Sequence, residues 1–168
     1  MRFPLEIVRA VRRVWAQDKP FGMRLSVTDW LDGGFNPDEA VRLVAAAKIA
    51  GVDYVCASSG GISPQGVPPA VGPGYQLHLA QKLRRETGVV TRAVGMIVDP
   101  HQAESILAEG KADWVALARA FLDDPRWAWH AAAALGADAA YPPPYLRACP
   151  EHWPGFALTR HRATPERS

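Results

Sequence analysis

The chain has 168 residues, enough for one domain with a hydrophobic core but fewer than the roughly 250 of a complete (β/α)8 barrel. The formal net charge of +2, with no basic cluster interleaved with aromatic residues, argues against a nucleic-acid partner. Cys56 and Cys149 are too few for a disulfide framework, and no apolar stretch approaches the roughly 20 residues that cross a bilayer. We therefore expect a cytoplasmic protein with no membrane partner.

Helices and strands are predicted to alternate from the start of the chain. Apolar residues at helical spacing predict an amphipathic helix over residues 3–15. Residues 21–27 alternate apolar and polar side chains, which predicts a strand. Asn36 and Pro37, followed by two acidic residues, then begin a helix that ends at Gly51.

The strand–helix order then repeats three times. Further strands are predicted over 52–58, 89–94 and 113–118, and further helices over 76–87, from Asp99-Pro100 to Gly110 and from Asp124-Pro125 to Leu135. From Tyr141 onward the prolines are too frequent and the periodicity too weak to predict regular structure.

Four strand–helix units fit two architectures, a small doubly wound sheet or half of a (β/α)8 barrel. No G-x-G-x-x-G or G-x-x-x-x-G-K-[ST] motif opens the first unit, and the strand over 21–27 has a polar face that suits a barrel mouth. The first element is a helix with no strand before it, as in a segment of a longer series. We therefore expect an α/β half-barrel over 1–148, with four parallel strands corresponding to strands 5–8, and a loosely structured tail over 149–168.

Such a half-barrel would expose its inner face and two edge strands. Exposed edges favour association with other strands. We therefore expect either a homo-oligomer or a complementing half-barrel chain as partner.

Small residues end two neighbouring predicted strands, and a helix-start signal follows each. In a barrel, Gly95 would let the backbone approach a phosphate, N–H groups after Ala118 would point at it, and Arg119 would add charge-assisted hydrogen bonds. The alternative is that small residues merely permit tight turns. Their repetition in consecutive units, beside an arginine, favours the phosphate site.

Arg24 lies on the polar face of the first predicted strand, toward the end where barrel active sites gather. In one interpretation it forms an ion pair with an acid of a neighbouring strand. In the other it supplies a fixed positive charge beside an anion-forming ring or a ligand oxygen.

Several stretches of the sequence converge on one family: RFPLEIVRAVRRVW, PFGMRLSVTDW, GVDYVCASSGGISP, VGPGYQ, TRAVGMIVDPHQAESILAEGKADWVALARAFLDDPRW and PPPYLRA. Together they resemble the C-terminal half of the Old Yellow Enzyme family, in its bacterial, thermophilic-type class. The resemblance runs in order from residue 1 to about 148. It implies a (β/α)8 barrel with FMN at its carboxyl-terminal mouth, NADPH as co-substrate, and NADPH dehydrogenase or ene-reductase activity.

The resemblance also implies roles for individual residues. Arg24 matches the strand arginine at the N1/O2 edge of the flavin, where it would stabilise the negative charge of the reduced ring. The matches to the FMN phosphate site are Val94, Gly95, Ala118 and Arg119. Arg147 matches the arginine that, in this class, reaches the active site of a neighbouring subunit.

The chain also departs from the family pattern. The family usually has Gly where Ala118 stands and Glu where Ala120 stands, so the extra methyl is expected to crowd the phosphate slightly. The segments that carry the family's histidine pair and tyrosine acid have no counterpart in this sequence, and we assign no catalytic or metal-binding residue to it. The five histidines do not replace the pair: His78, His101, His130, His152 and His161.

Three hypotheses follow for the function. The first is an FMN-dependent oxidoreductase, with this chain supplying the contacts to the flavin phosphate and ring edge. The second is a catalytically inactive, truncated remnant that does not bind flavin. The third is a self-associating half-barrel that binds another phosphorylated metabolite.

Overall fold

Four parallel strands form a sheet in the computed structural model, which describes residues 1–68, 70–156 and 158. The strands are β1 (Gly22–Ser26), β2 (Tyr54–Ser58), β3 (Val90–Val94) and β4 (Trp114–Ala116). They lie side by side in chain order, with Arg24 opposite Cys56 and Val94 opposite Ala116. All four predicted strands are present, although β4 ends two residues earlier than predicted.

One helix precedes β1, and helices follow each of the strands. They are α1 (Arg2–Val14), α2 (Pro37–Ile49), α3 (Leu77–Thr87), α4 (Pro100–Ala108), α5 (Arg119–Asp123) and α6 (Trp127–Ala134), with a 3-10 helix at Pro143–Ala148. The prediction of no regular structure after Tyr141 is wrong for that 3-10 helix, which begins at a proline. Proline is favoured at the first helical position because it has no N–H group to leave unpaired.

Capping side chains fix where the predicted helices begin. The Asn36 side chain accepts hydrogen bonds from the N–H groups of Asp38 and Glu39, and the Glu39 carboxylate accepts one from the Asn36 N–H. At α4 the Asp99 carboxylate accepts from the Gln102 N–H at 2.8 Å. These bonds satisfy N–H groups that have no partner inside a helix, so the starts of α2 and α4 follow directly from the sequence.

The hydrophobic core lies between one face of the sheet and the helices. Val55, Ala57 and Ala93 of the sheet pack in one cluster with α2 and α3, including Val44 and Leu83. Each fully buried Val or Leu contributes about 1.5–3 kcal/mol relative to an exposed position. Successive side chains of a strand point to opposite faces of the sheet. The remaining side chains therefore lie on the other face, where Arg24, Val90 and Trp114 are exposed.

This arrangement is a partial (β/α)8 barrel. A doubly wound sheet reverses its strand order and carries helices on both faces. Here the order is β1-β2-β3-β4 without reversal, and the core cluster takes in only one face of the sheet. We call the other face, which carries Arg24, Cys56 and Trp114, the inner face.

Asp113 anchors the start of β4 to its neighbours. Its carboxylate accepts hydrogen bonds from the Thr91 N–H at 2.8 Å and from Nε of Arg84 at 3.0 Å. Burial alone would raise the pKa of Asp113, but the bonds from Thr91 and Arg84 outweigh it, so the pKa lies below its usual value. The carboxylate therefore stabilises the fold in its charged form.

The chain divides into two compact units, Met1–Trp127 and the residues from Ala128 onward. The first contains the sheet. In the second, the Trp129 ring lies 4.5 Å from the Tyr141 ring and 5.5 Å from the Tyr145 ring, between centroids. The tail predicted over 149–168 falls mostly on residues outside the described ones, so it stays a prediction.

Candidate functional site

The four strands end at one edge of the sheet, which we call the carboxyl edge. Ser26 pairs with Ser58 there, and Val94 pairs with Ala116. Because parallel strands run in the same direction, the loops that follow them gather at this edge. The residues predicted for a phosphate site after β3 and β4 therefore lie on neighbouring loops.

Arg24 lies on the inner face and reaches toward the carboxyl edge. Its Nη2 donates a 2.8 Å hydrogen bond to Oγ of Ser58, and its Nη1 lies 3.6 Å from Sγ of Cys56. The side chain is exposed, and no acidic residue forms an ion pair with it within the described chain. The predicted alternative of an ion pair across the strands is therefore not found, and the positive charge faces the open side of the sheet.

Gly95 follows β3 with a backbone φ of 122°, a region that L side chains rarely adopt. A Cβ atom here would lie 2.9 Å from Cε1 of Tyr75 and 2.9 Å from Cγ of Gln76. The Gly95 carbonyl accepts a hydrogen bond from the Gly74 N–H at 2.9 Å. Packing alone therefore requires glycine at this position. Because glycine has no side chain, the backbone here is not shielded by a Cβ atom.

Gln76 belongs to this edge, although the sequence analysis did not select it. Its side chain is buried, and its Oε1 accepts a 2.6 Å hydrogen bond from Oγ of Ser59. It thus joins the loop after β2 to the loop after β3, where it packs on Gly95. The only signal in the sequence was its place at the start of a predicted helix.

Ala118 and Arg119 lie where β4 passes into α5. Ala118 has a φ of −118°, which any L residue adopts, so its methyl group causes no backbone strain. Arg119 is the first residue of α5 and is exposed. The methyl of Ala118 is also exposed, so it faces solvent and not the core.

Trp127 contacts both the loop after β3 and helix α5 after β4. Its Nε1 donates a 2.7 Å hydrogen bond to the Val98 carbonyl in the loop after β3. Its ring meets the Phe121 ring of α5 edge to face, with centroids 5.9 Å apart. This contact holds α5 against the loop that carries Gly95, and no pattern in the sequence predicts it.

The structure also describes most of the other residues that the sequence analysis considered. Arg147 is exposed in the 3-10 helix of the second unit. His78 and His101 are exposed on α3 and α4, His152 lies 2.9 Å from Sγ of Cys149, and His161 falls outside the described residues. Within residues 1–68, 70–156 and 158, no group of three or more His, Cys, Asp or Glu side chains could hold a metal ion. No helix described there is long and apolar enough to span a membrane.

A family model described as the NADH:flavin oxidoreductase / NADH oxidase family matches residues 1–137. The chain belongs to this family. The flavin oxidoreductase match ends before the 3-10 helix, so it covers the sheet and all the residues of the carboxyl edge named above, but not Arg147.

Curated relatives in the family are NADPH dehydrogenases. The protein from Clostridium acetobutylicum is 38% identical over 88% of this chain and 43% of its own length. The protein from Geobacillus thermodenitrificans is 41% identical over 84% of this chain and 41% of its own length. The chain therefore spans about two fifths of the length of these relatives.

Two solved structures match the fold. A 2-naphthoyl-CoA reductase in complex with 2-naphthoyl-CoA superposes with a TM-score of 0.70 and 26% identity, over 81% of this chain and 21% of that one. Histamine dehydrogenase from Rhizobium sp. 4-9 gives a TM-score of 0.66 at 20% identity, over 80% of this chain and 19% of that one. The second likeness supports the fold alone.

The residues at the carboxyl edge fit the flavin mononucleotide that the family name implies. FMN has an anionic phosphate and a ring that gains negative charge on reduction. The edge offers two exposed guanidinium groups, Arg24 and Arg119, and bare backbone at Gly95. A cationic or strongly hydrophobic ligand would match this donor set poorly.

Proposed function

We propose that this chain supplies the FMN phosphate and ring-edge contacts of a flavin-dependent NADPH dehydrogenase of the ene-reductase type. One observation carries the proposal: Arg24 is held by Ser58 on the inner face, at the same edge as Gly95 and Arg119. Membership of the flavin oxidoreductase family and the names of the relatives support the choice of FMN and NADPH.

Arg24 would act on the pyrimidine side of the flavin. Its guanidinium is fixed by the bond to Ser58, so the positive charge is already in place before the ring becomes anionic. Bound FMN would supply hydride transfer between NADPH and an acceptor. The role of Arg24 is then to lower the free energy of the reduced ring.

The loops after β3 and β4 would hold the phosphate. Backbone groups of Val94 and Gly95 would approach it on one side, and Ala118 with Arg119 on the other. Trp127 keeps the two loops together through Val98 and Phe121. Because this hydrogen bond and this ring contact already hold the loops in place, phosphate binding would cost less conformational entropy.

We assign no proton donor to this chain. Arg147 would reach into the site of a neighbouring subunit. We also propose that further polypeptide covers the inner face. In this proposal, catalysis therefore also needs residues that are not among those described above.

The test compares FMN with riboflavin, which lacks the phosphate. The chain is titrated with each flavin, and binding is followed by quenching of flavin fluorescence. We expect FMN to bind more tightly than riboflavin, and Arg119→Ala to weaken FMN by roughly tenfold while leaving riboflavin unchanged. Arg13→Ala, which alters an exposed arginine of α1, is the matched control.

Three results would contradict the proposal. Equal affinity for FMN and riboflavin would show that the chain has no site for the FMN phosphate. An absence of binding by either flavin would favour the inactive remnant, and tight binding of a sugar phosphate without flavin affinity would favour the phosphorylated-metabolite alternative.

A further inference from the structure

A cavity in the first unit has a lining that includes neither Arg24 nor Arg119. Its volume of about 380 Å³ is within the range of roughly 300–1,000 Å³ typical of small-molecule sites. It is lined by Trp30, Ala70, Val71, Gly72, Pro73, Tyr75 and His78. We call these residues the aromatic pocket.

The walls of the aromatic pocket are flat and apolar. The Trp30 and His78 rings lie 6.1 Å apart between centroids and are tilted by 58°. Tyr75 and Pro73 add two further ring surfaces, and Val71 is 63% exposed. Aromatic side chains bind planar rings through stacked or edge-to-face contacts, so these walls favour a flat ligand.

The pocket is held in shape from both sides. The Trp30 N–H donates to Oγ1 of Thr28 at 3.2 Å, and Gly60 packs against the indole. On the other side, the Tyr75 N–H donates to the Gly72 carbonyl at 3.1 Å. Because both walls are anchored, a ligand would pay little ordering entropy on binding.

Trp30 keeps an unfavourable backbone conformation at this site. Its φ of 57° is in the left-handed region, which is unfavourable for a bulky side chain. Conformations of this kind persist where surrounding structure enforces them, and they cluster at ligand sites. The strain places the indole ring beside His78 as one wall of the pocket.

The lining determines the charge of the ligand. None of the seven lining residues is an acid, a lysine or an arginine, so the walls offer no fixed charge. The exposed imidazole of His78 makes no hydrogen bond or ion pair within the described residues, and a neutral imidazole can both donate and accept. A neutral ring with a polar substituent matches this combination.

We propose that the aromatic pocket binds a neutral, planar aromatic compound whose polar substituent hydrogen-bonds to His78. The site shares Tyr75 with the packing around Gly95, but it includes neither Arg24 nor Arg119. Binding there needs no flavin. The proposal therefore stands apart from the assignment of FMN to the carboxyl edge.

The probe is benzamide, with cyclohexanecarboxamide as its matched control. Both are neutral and carry the same carboxamide, but only benzamide is flat. The 15N-labelled full chain is titrated without flavin, and the amide signals of Val71 and Gly72 and the indole signal of Trp30 are followed by NMR. We expect saturable shifts with benzamide, at an affinity on the order of fivefold higher than with cyclohexanecarboxamide.

Variants separate the role of His78 from general packing. His78 is exposed on α3, so His78→Ala should fold, and it should weaken benzamide on the order of fivefold. His101→Ala, an exposed histidine of α4 outside the pocket, should bind like the unaltered chain. The proposal is overturned if these signals do not shift saturably, if both amides bind equally, or if the two variants behave alike.

Discussion

The guanidinium of Arg24 donates a 2.8 Å hydrogen bond to the hydroxyl of Ser58 on the neighbouring strand. The two residues are two register positions apart, since Arg24 pairs with Cys56 and Ser26 pairs with Ser58. The long arginine side chain therefore lies along the inner face toward the carboxyl edge. The bond to Ser58 fixes the direction of the Arg24 side chain, whereas an arginine without a partner would adopt several directions.

Ser58→Ala should weaken both FMN and riboflavin, because Arg24 is assigned to the ring and not to the phosphate. Loss of one hydrogen bond to a charged group predicts an effect on the order of tenfold. The free energy of unfolding without flavin should change little. Fluorescence titrations with both flavins check this, and a loss confined to FMN would contradict the assigned position of Arg24.

Arg24→Met should lower the reduction potential of bound FMN. Removing a positive charge beside the ring disfavours the anionic reduced form, by on the order of 20–60 mV for a two-electron couple. A dye-coupled redox titration of the FMN-loaded chain measures the shift. An unchanged potential would mean that the guanidinium does not face the reduced ring.

Gly95→Ala should destabilise the fold even without a ligand. Its φ of 122° is strained for alanine, and the new methyl would press on Tyr75 and Gln76. We expect a loss of about 2–4 kcal/mol, from backbone strain together with overpacking. Gly61→Ala is the control for strain, since Gly61 also has a positive φ of 87° but nothing lies within 4 Å of its added Cβ. Urea unfolding of both variants isolates the packing contribution, and equal losses would exclude it.

Gly22 and Tyr54 should show strong coupling. A Cβ on Gly22 would lie 2.1 Å from Cζ of the Tyr54 ring, which fills the space above β1. Gly22→Ala is expected to cost about 1–3 kcal/mol in the unaltered background and much less when Tyr54 is also alanine. A double-mutant cycle by urea unfolding measures the difference, and additive losses would be inconsistent with the ring's position over Gly22.

Asp113→Asn should destabilise the protein in a pH-dependent way. The folded pKa of Asp113 lies below its usual value of 3.8, so its stabilising effect is present above the unfolded pKa and is lost as the pH falls through the folded pKa. We expect a deficit of about 1–3 kcal/mol at pH 7 that shrinks below pH 4. Unfolding at pH 7 and pH 3 checks the sign, and a constant deficit would rule out a charge effect.

The strands and most helices could be predicted because their signals are local. Residues 21–27 alternate in polarity, and Asn36 and Asp99 carry capping side chains beside prolines. Helix α5 has no such signal, because Ala118 has no side chain that can cap it. It forms where β4 ends, and Phe121 packs on Trp127, a contact that depends on the folded arrangement.

The sequence analysis named residues for the candidate site but could not give their contacts. Arg24 could be placed on a polar face by alternation, yet its partner Ser58 depends on strand register across 34 positions of sequence. Gln76 is polar and buried only because Ser59 and Gly95 come together around it. Such residues have no periodic pattern, so the sequence cannot separate them from ordinary loop residues.

Hydrogen bonds link three loops at the carboxyl edge in series. The Thr28 carbonyl accepts from the Gly60 N–H, Ser59 donates to Gln76, and the Gly74 N–H donates to the Gly95 carbonyl. Local opening that breaks one link therefore exposes the next, so deuterium uptake at Gly60 and Gly74 should follow a common opening free energy. The edge would then move as one cooperative unit, even though its members come from three separate turns of the chain.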